Sequence, residues 1–306
     1  MFDPDAVLIR LGYSFLPDAA QRRALFARDV GAKASHVDGE LARLLARIPS
    51  TIPHDAVFAR CRVTRYWVAT EDGYRRNDIV PLLEADGTTI ARVPAAFLMD
   101  AALEGTGRLI DGRIINVVKG RVDVRGRSME WSSIVVRYAE YARRRREAGA
   151  TPHPSQVFGV EIDGGSVVAV QKFRVFEANE RGVGFGINRG RPYRPFNTIA
   201  TDIGAYSSSD PRFKGKGGLI PLETNVLILE AVGRTVPTGA GAQTTDDGWR
   251  FVHDTGGAIF GAHIDEFVGT LAVARTMPGY GAVAHIWFDG IEERMRSGYS
   301  YGLEAQ

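Results

Sequence analysis

The sequence predicts a mainly β protein that begins with a helical segment. Glycine is frequent, at 35 of 306 residues, and aromatic residues make up 9%, which favours a β-rich chain with many turns. From Cys61 onwards, short strand-like runs alternate with turn residues, whereas residues 1–58 carry apolar residues at helical spacing. A chain of this length can bury a substantial core and hold two domains.

The net charge and the cysteine content bear on two possible functions, nucleic-acid binding and catalysis by a cysteine. The 38 basic and 36 acidic residues leave a net charge of +2, which does not demand a nucleic-acid partner. The arginine run 143–146 at the end of a predicted helix is typical of a solvated helix terminus rather than of a nucleic-acid site. Cys61 is the only cysteine, so no internal disulfide forms, and a buried apolar role is favoured over a nucleophilic one.

The first 58 residues are predicted to form helices. Residues 18–30 make one helix, and a second begins at Ser35, with Asp38 three residues on as in a capping box. The second helix places Leu41, Leu44, Leu45 and Ile48 on one face. We expect both helices to pack on the body of the protein; docking to a partner is the alternative.

The remaining chain reads as strands with a few helices. Residues 62–70 are strand-like, and runs 79–84 and 88–93 flank an Ala-Asp-Gly turn that predicts a hairpin. Helices are predicted at 94–103 and 133–146, and 148–155 reads as a linker or long loop. Strands resume at 167–177 and continue to the end. The N-terminus lacks the pattern of a signal peptide, and no run is long enough to span a membrane.

The most informative stretch is Asp254 to Asp265, in which two carboxylates bracket a glycine-rich turn and an apolar segment. Apolar neighbours such as Ile264, Phe267 and Val268 would raise a carboxyl pKa, and glycines let a polymer approach the backbone. Alone, Asp-Thr-Gly-Gly is commonly only a turn. The adjacent His253 and His263 match no zinc spacing, so hydrogen-bonded histidines are favoured and no metal or cofactor is predicted.

The pattern D-T-G-G-A-I-x-G-x-H-x-D at 254–265 resembles the signature of the 3D domain, named for three aspartates and found in MltA-type lytic transglycosylases. Two further segments resemble the family: T-I-A-T-D at 198–202 and L-I-P-L-E-T at 219–224. An insertion, 203–218, separates them, and Glu223 replaces a usual glycine. The resemblance makes Asp202 the first aspartate, with Asp210 in the insertion as its rival. The segment E-G-T-G-R at 104–108 also resembles bacterial 3D-domain proteins.

This resemblance implies a six-stranded double-psi β-barrel with an inserted second β-rich domain. The implied organisation is a helical segment at 1–58, the barrel at 59–78 and 166–306, and the inserted domain at 79–165, which would line a glycan groove.

The resemblance also implies a peptidoglycan lytic transglycosylase that cleaves the MurNAc-GlcNAc β-1,4 bond and leaves a 1,6-anhydroMurNAc end. Asp265 would be the general acid and then the base, while Asp254 and Asp202 would support it. A proton donor of this kind needs a raised pKa. The expected partner is a peptidoglycan strand, in the cell envelope, outside the cell or on a virion. Candidate glycan-binding residues are Thr255, Gly256, Gly257, Tyr66 and Tyr206.

Two other functions remain open on the sequence. A cell-wall hydrolase would use paired aspartates as acid and base, and the outcome would depend on the separation of the carboxylates. A non-catalytic module, either glycan-binding as in expansins or part of a phage tail, would need none of the aspartates for chemistry.

Overall fold

The computed structural model describes most of the chain. The residues described are 3–76, 79–84, 88–104, 106–117, 121–124, 127–130, 147, 149, 161–163, 166–168, 172–176, 187–188, 191–202, 219–239, 242–256, 259 and 261–296. The chain divides into a barrel unit, Met1–Tyr66 with Arg194–Val268 and Thr276–Gln306, and a second unit, Trp67–Tyr193 with Gly269–Arg275.

The helices are short, and side chains cap the start of the first two, at Asp3 and Asp18. The Asp18 side chain accepts a hydrogen bond from the Gln21 backbone NH at 2.9 Å, and Gly31 closes the same helix with φ of 70°. The α-helices are α1 Pro4–Leu8, α2 Ala19–Val30, α3 Val37–Leu45, α4 Ala95–Glu104, α5 Leu271–Thr276 and α6 Ile291–Arg296; a π-helical turn spans Ile9–Tyr13, and 3-10 turns span Ala34–His36 and Glu71–Gly73.

The predicted capping box at Ser35 is wrong. Ser35 lies inside a 3-10 turn, and α3 begins after His36, whose side chain makes no capping hydrogen bond. The apolar face is nevertheless as predicted at Leu41 and Leu44, which are fully buried. Periodicity therefore located the helix more accurately than the capping pattern did.

The strands follow the predicted alternation of short runs and turns. They are β1 Ala59–Tyr66, β2 Ala69–Thr70, β3 Ile79–Glu84, β4 Thr89–Pro94, β5 Thr106–Arg108, β6 Ile114–Val117, β7 Arg121–Val124, β8 Arg127–Glu130, β9 Glu161–Asp163, β10 Ser166–Val168, β11 Lys172–Phe176, β12 Ile187–Asn188, β13 Arg191–Pro192, β14 Thr198–Asp202, β15 Asn225–Ile228, β16 Thr235–Gly239, β17 Ala242–Thr245, β18 Trp249–Gly256, β19 His263–Phe267 and β20 Ala284–Trp287. The predicted hairpin is the antiparallel pair of β3 and β4. The predicted helix at 133–146 lies outside the described residues.

A closed barrel forms the centre of the barrel unit, with strand order β1-β19-β14-β18-β15-β20. The pairs β1–β19 and β14–β18 are parallel, and the other neighbours are antiparallel. The mainly β fold class with a barrel is thus confirmed, while its double-psi path stays a prediction. The second unit contains the sheet β2-β5-β6-β11-β3-β4, so residues 69–70 and 172–176 lie in that sheet. The domain boundaries themselves stay a prediction.

The helical segment packs on the barrel, as expected. One apolar cluster joins Leu8, Phe26 and Leu41 of the helices to Leu227 and Leu229 at strand β15. A buried polar cluster reinforces this junction. The Asp29 carboxylate accepts from the Tyr13 hydroxyl at 3.0 Å and pairs with the Arg60 guanidinium of β1 at 2.6 Å. In the described part of the chain, no helix combines the length and apolar character needed to cross a bilayer.

Gly12 allows the helical segment to lie this close to the barrel, and we expect Gly12→Ala to destabilise the fold. Its φ is 89°, and a Cβ there would be 2.6 Å from the Phe58 carbonyl oxygen. Positive φ and the clash together should lower the free energy of unfolding by about 2–4 kcal/mol. Gly31→Ala is the matched control, because its φ is also positive, at 70°, but nothing lies within 4 Å of its Cβ position. Urea titration of both variants measures the difference, and equal losses would contradict the close approach at Gly12.

Candidate functional site

The barrel brings two of the three predicted aspartates into one row. Asp265 on β19 is in register with Thr64 on β1 and with Ala200 on β14. Ala200 is in turn in register with Asp254 on β18. Residues in register point to the same face of a sheet, so the two carboxylates flank the small Ala200 side chain.

A register shift places Asp254 in this row. The pairing of β14 with β18 runs from Ile199–Val252 directly to Ala200–Asp254 and skips His253. Val252 belongs to the barrel core, and regular alternation would have pointed Asp254 to the same side. The irregularity therefore moves the Asp254 carboxylate from the core side to the face that carries Asp265.

Ile264 lies on the opposite face from Asp265, and the expectation that it shields this carboxylate is wrong. Ile264 and Ile199 belong to the barrel core, and adjacent residues of a strand point in opposite directions. Phe267, two residues after Asp265, is on the same face and is fully buried. Alternation along β19 thus puts Ile264 and Phe267 on opposite faces, although the sequence predicted that both would shield Asp265.

Asp265 has the properties of a proton donor. Its pKa is raised from 3.8 to about 6, mainly by burial; the charges of Asp254 and Glu266 act in the same direction, and Thr64 and Arg62 act against them. Its Oδ1 atom is buried and makes no hydrogen bond among the residues that the structure describes. A carboxyl with this pKa keeps its proton in mildly acidic solution.

Asp254 has a different environment. Its Oδ2 accepts a hydrogen bond from the Tyr66 hydroxyl at 3.0 Å, and its Oδ1 accepts from the Thr255 backbone NH at 2.8 Å. Both oxygens of the Asp254 side chain therefore accept hydrogen bonds. The two aspartates are therefore an unequal pair: both oxygens of Asp254 accept hydrogen bonds, whereas Oδ1 of Asp265 has no hydrogen-bond partner in the described residues.

Tyr66 links the two sides of this face. Its ring packs against Phe267, with centroids 5.2 Å apart and planes at 46°, and its hydroxyl donates to Asp254 on the same face. Tyr66 is half-buried. Its assignment as a glycan-stacking residue stays a prediction, and the structure adds a second role, that of holding Asp254.

Asp202 is buried apart from the row and supports the loop between β18 and β19. Its Oδ2 accepts a hydrogen bond from the Gly261 backbone NH at 2.8 Å, and only 2% of the residue is exposed. Because Gly261 lies two residues before β19, this bond fixes the approach to the strand that carries Asp265. Asp202 is thus a loop anchor in the structure. The rival Asp210, together with Tyr206, lies outside the described residues.

The glycine-rich turn is held by packing as well. A Cβ on Gly256 would be 2.6 Å from Ile259 Cδ1, so a larger residue there would force the Ile259 side chain to move. Gly257 lies outside the described residues. The predicted contacts of Thr255, Gly256 and Gly257 with a glycan stay predictions.

Two residues near Asp265 were missed as site residues. Thr64 is in register with Asp265 and lowers its pKa, and Thr64 Oγ1 lies 2.7 Å from His263 Nε2. Burial and the nearby Arg62 lower the pKa of His263 to about 4, so its ring is neutral at neutral pH. Strand alternation offered a signal, since Thr64 is two residues from Tyr66 and His263 is two from Asp265. Within the described part of the chain, no group of three His, Cys, Asp or Glu residues is arranged to hold a metal ion.

The barrel and this row of side chains define a β-barrel protein that carries two aspartates on one face, one of them with a raised pKa and the other held by hydrogen bonds. The model of the 3D domain family matches residues 217–288, which include Asp254 and Asp265, so the chain contains a 3D domain. The resemblance stated from the sequence is thereby confirmed for the segment that carries these two aspartates. A search of curated proteins finds no match.

Solved structures similar to the chain include lytic transglycosylases. MltA from E. coli is 12% identical, with a TM-score of 0.40 over 87% of this chain and 88% of that one. E. coli MltA with bound chitohexaose is 14% identical, with a TM-score of 0.37 over 76% of this chain and 71% of that one. The lytic transglycosylase LtgG of Burkholderia pseudomallei is 16% identical, with a TM-score of 0.34 over 94% and 90%.

Proposed function

We propose that this protein is a peptidoglycan lytic transglycosylase in which Asp265 is the general acid and then the general base. The observation that carries the proposal is the environment of Asp265 in the 3D domain. The carboxyl is desolvated, its pKa is raised to about 6, and its Oδ1 has no hydrogen-bond partner in the described residues. An acid that must protonate a glycosidic oxygen near neutral pH needs such a raised pKa.

The proposed reaction has two steps, and Asp265 gives up a proton in the first and takes one back in the second. Asp265 first gives its proton to the glycosidic oxygen as the bond from that oxygen to MurNAc C1 breaks. The resulting carboxylate then takes the proton of the C6 hydroxyl while O6 attacks C1, which yields a 1,6-anhydro end and restores the acid. No water is consumed, and no second carboxylate forms a bond.

Asp254 supports both steps through its charge. An oxocarbenium-like centre develops at C1, and a fixed carboxylate on the same barrel face stabilises positive charge nearby. Tyr66 and the Thr255 backbone NH hold that carboxylate in place. Since peptidoglycan lies outside the cytoplasmic membrane, the proposed activity places the protein in the cell envelope, outside the cell or on a virion.

The decisive experiment is digestion of purified peptidoglycan, with the product ends identified by mass spectrometry. Anhydro-muropeptides are expected. Reducing MurNAc ends would show hydrolysis, and retained binding without cleavage would show a glycan-binding module; either result would overturn the proposed reaction. Peptidoglycan incubated with heat-denatured protein is the control.

Hydrolysis is the second candidate, because two carboxylates share one face of the barrel. Asp254 and Asp265 sit on strands separated only by β14, which corresponds to about 9–10 Å between their backbones at ordinary strand spacing. Inverting glycosidases hold their carboxyl groups roughly 6.5–9.5 Å apart to admit a water molecule. The engagement of both Asp254 oxygens by Tyr66 and Thr255 favours the transglycosylase, because the base of a hydrolase must be available to that water.

The pH dependence of cleavage provides a further prediction. Because the donor must be protonated, kcat/KM should fall about tenfold per pH unit above the pKa of Asp265, about 6. Asp254→Asn removes a negative charge that raises this pKa, so the falling limb should move to lower pH. Initial rates measured from about pH 4 to about pH 8 cover the falling limb and test both statements. An unmoved limb in Asp254→Asn would contradict the electrostatic coupling of the two aspartates.

A further inference from the structure

A buried histidine lies where the helical segment meets the barrel. The Nε2 atom of His285, on β20, lies 3.1 Å from the Tyr13 hydroxyl of the π-helical turn, and its Nδ1 atom lies 2.5 Å from Oε1 of Glu230, just after β15. The His285 backbone NH donates to the other Glu230 oxygen at 2.8 Å. The Tyr13 hydroxyl donates to Asp29 Oδ2 at 3.0 Å, and Arg60 of β1 donates to the same oxygen at 2.8 Å. Hydrogen bonds therefore run from α2 through Tyr13 and His285 to the barrel.

The order of hydroxyl, imidazole and carboxylate in this cluster is that of an activated nucleophile, but no substrate can reach it. Tyr13 and His285 are 0% exposed, and Glu230 is 8% exposed. Burial and the charge of Asp29 raise the pKa of the Tyr13 phenol, so its hydroxyl keeps its hydrogen. The cluster therefore joins two parts of the fold and takes no part in covalent chemistry.

The number of hydrogens in the cluster fixes the protonation of the His285 ring. A tyrosine hydroxyl has one hydrogen, and an ionised carboxylate only accepts. Because the Tyr13 hydrogen is donated to Asp29, the hydroxyl oxygen accepts at its other contact, and His285 Nε2 must donate to it. Glu230 Oε1 also accepts, so Nδ1 must donate as well. A histidine ring that donates from both nitrogens is an imidazolium.

The charges around this ring agree with the count of hydrogens. The carboxylates of Asp29 and Glu230 contact the Arg60 guanidinium and the imidazole, respectively. A positive ring balances the second carboxylate, whereas a neutral ring would leave a buried net negative charge, which is costly. Two other cations lie at the edge of the cluster. The Arg28 side chain, 64% exposed, lies 3.8 Å from Asp29, and Arg47 donates to the Glu230 backbone carbonyl at 3.0 Å.

We propose that the His285 imidazolium is a proton-dependent contact between the helical segment and the barrel. With both ring hydrogens present, His285 donates to Tyr13 on the helical side and to Glu230 on the barrel side. Loss of either hydrogen removes one of these bonds and leaves the buried carboxylates with one counter-charge fewer. A rise in pH that removes the ring proton should therefore loosen the π-helical turn and α2 from the barrel. The proposal does not depend on the proposed activity.

The protonation of the ring is directly measurable in ¹⁵N NMR spectra of the wild-type protein. His285 should show a hydrogen on both ring nitrogens at about pH 7 and should lose one of them as the pH is raised. A ring with a hydrogen on Nδ1 alone at that pH would mean that the Tyr13 hydroxyl donates to Nε2, and it would overturn the proposal.

Loosening of the helical segment is measurable by amide hydrogen exchange. After correction for the intrinsic pH dependence of exchange, the protection of the α2 amides should fall by about tenfold or more over the pH interval in which the ring hydrogen is lost. The side chain in His285→Gln does not titrate, so this pH dependence should be absent there. His54→Gln is the matched control and should retain it, because His54 is exposed. Unchanged α2 protection in the wild type across that interval would overturn the proposal.

Tyr13→Phe tests the direction of the hydrogen bond between Tyr13 and His285. Phenylalanine keeps the ring, which packs edge-on against Phe26 with centroids 5.8 Å apart, and removes the acceptor for Nε2–H. His285 should then lose its second ring hydrogen at a lower pH than in the wild type. If the Tyr13 hydroxyl were instead the donor, its removal would have the opposite effect, so an unchanged or higher pH would overturn the proposal. These measurements need no substrate, so a failure to cleave peptidoglycan would overturn only the proposed function.

Discussion

Asp265→Asn should abolish cleavage of peptidoglycan and at the same time raise the free energy of unfolding at neutral pH. The amide cannot release a proton to the glycosidic oxygen, so the general acid and base contribution of 10²–10⁴-fold is lost at the least. The stability gain arises because the amide replaces a buried carboxylate that carries its charge above pH 6.

The sign of the stability effect follows from the two states of the group. The folded pKa of Asp265, about 6, lies above its ordinary value of 3.8, so the folded state binds the proton more tightly than the unfolded state. The protein therefore loses stability as pH rises from about 4 to 6, by about 3 kcal/mol in total, and this penalty persists at higher pH. Asp265→Asn should remove this penalty, so the variant should have a higher free energy of unfolding than the wild type above pH 6 but not near pH 4.

Urea titrations at both pH values, combined with muropeptide analysis, measure the two effects. Asp289→Asn is the control, because Asp289 is exposed and should change neither quantity. Wild-type turnover in Asp265→Asn would contradict the catalytic assignment. Loss of activity with an equal stability change at both pH values would contradict the conclusion that burial raises the pKa of Asp265.

Arg250→Met should cause the largest loss of stability. The guanidinium of Arg250 is 1% exposed and pairs with Asp246 and with Glu266, each at 2.6 Å. Removing the arginine leaves Asp246 without its ion-pair partner and leaves Glu266 only the more distant Arg65, at 3.7 Å, at a cost of about 3–5 kcal/mol. The Tyr280 hydroxyl, which donates to Glu266 at 2.7 Å, does not supply the missing charge.

The matched control is Arg23→Met, which breaks a surface pair. Arg23 lies 2.8 Å from Asp38, but 37% and 59% of the two side chains are exposed. Such a pair contributes about 0–1 kcal/mol, because water screens it. Thermal and urea unfolding should separate the two variants clearly, and similar losses would show that the Arg250 cluster does not act as a buried ion pair.

Some features were determined by local sequence. The periodicity of Leu41 and Leu44, the Asp18 cap of α2 and the two runs of the β3–β4 hairpin each depend on neighbours a few residues away, and all three are present in the structure. The Asp254–Asp265 pattern was equally local, and the 3D-domain model matches it. Sequence reasoning was weaker at Ser35, where a capping pattern competes with a 3-10 turn.

The pairing of neighbouring strands in the barrel decided the face on which each site residue lies and the side chains around it. The register shift between β14 and β18 selects the face on which Asp254 appears, and strand alternation turns Ile264 away from Asp265. Thr64 lies 201 positions before Asp265 and meets it only because β1 pairs with β19. The sequence by itself thus determined which segment carries the two aspartates of the row. Tertiary structure decided which carboxyl is desolvated and which neighbours hold it, because burial and hydrogen bonding depend on strands that are distant in the chain.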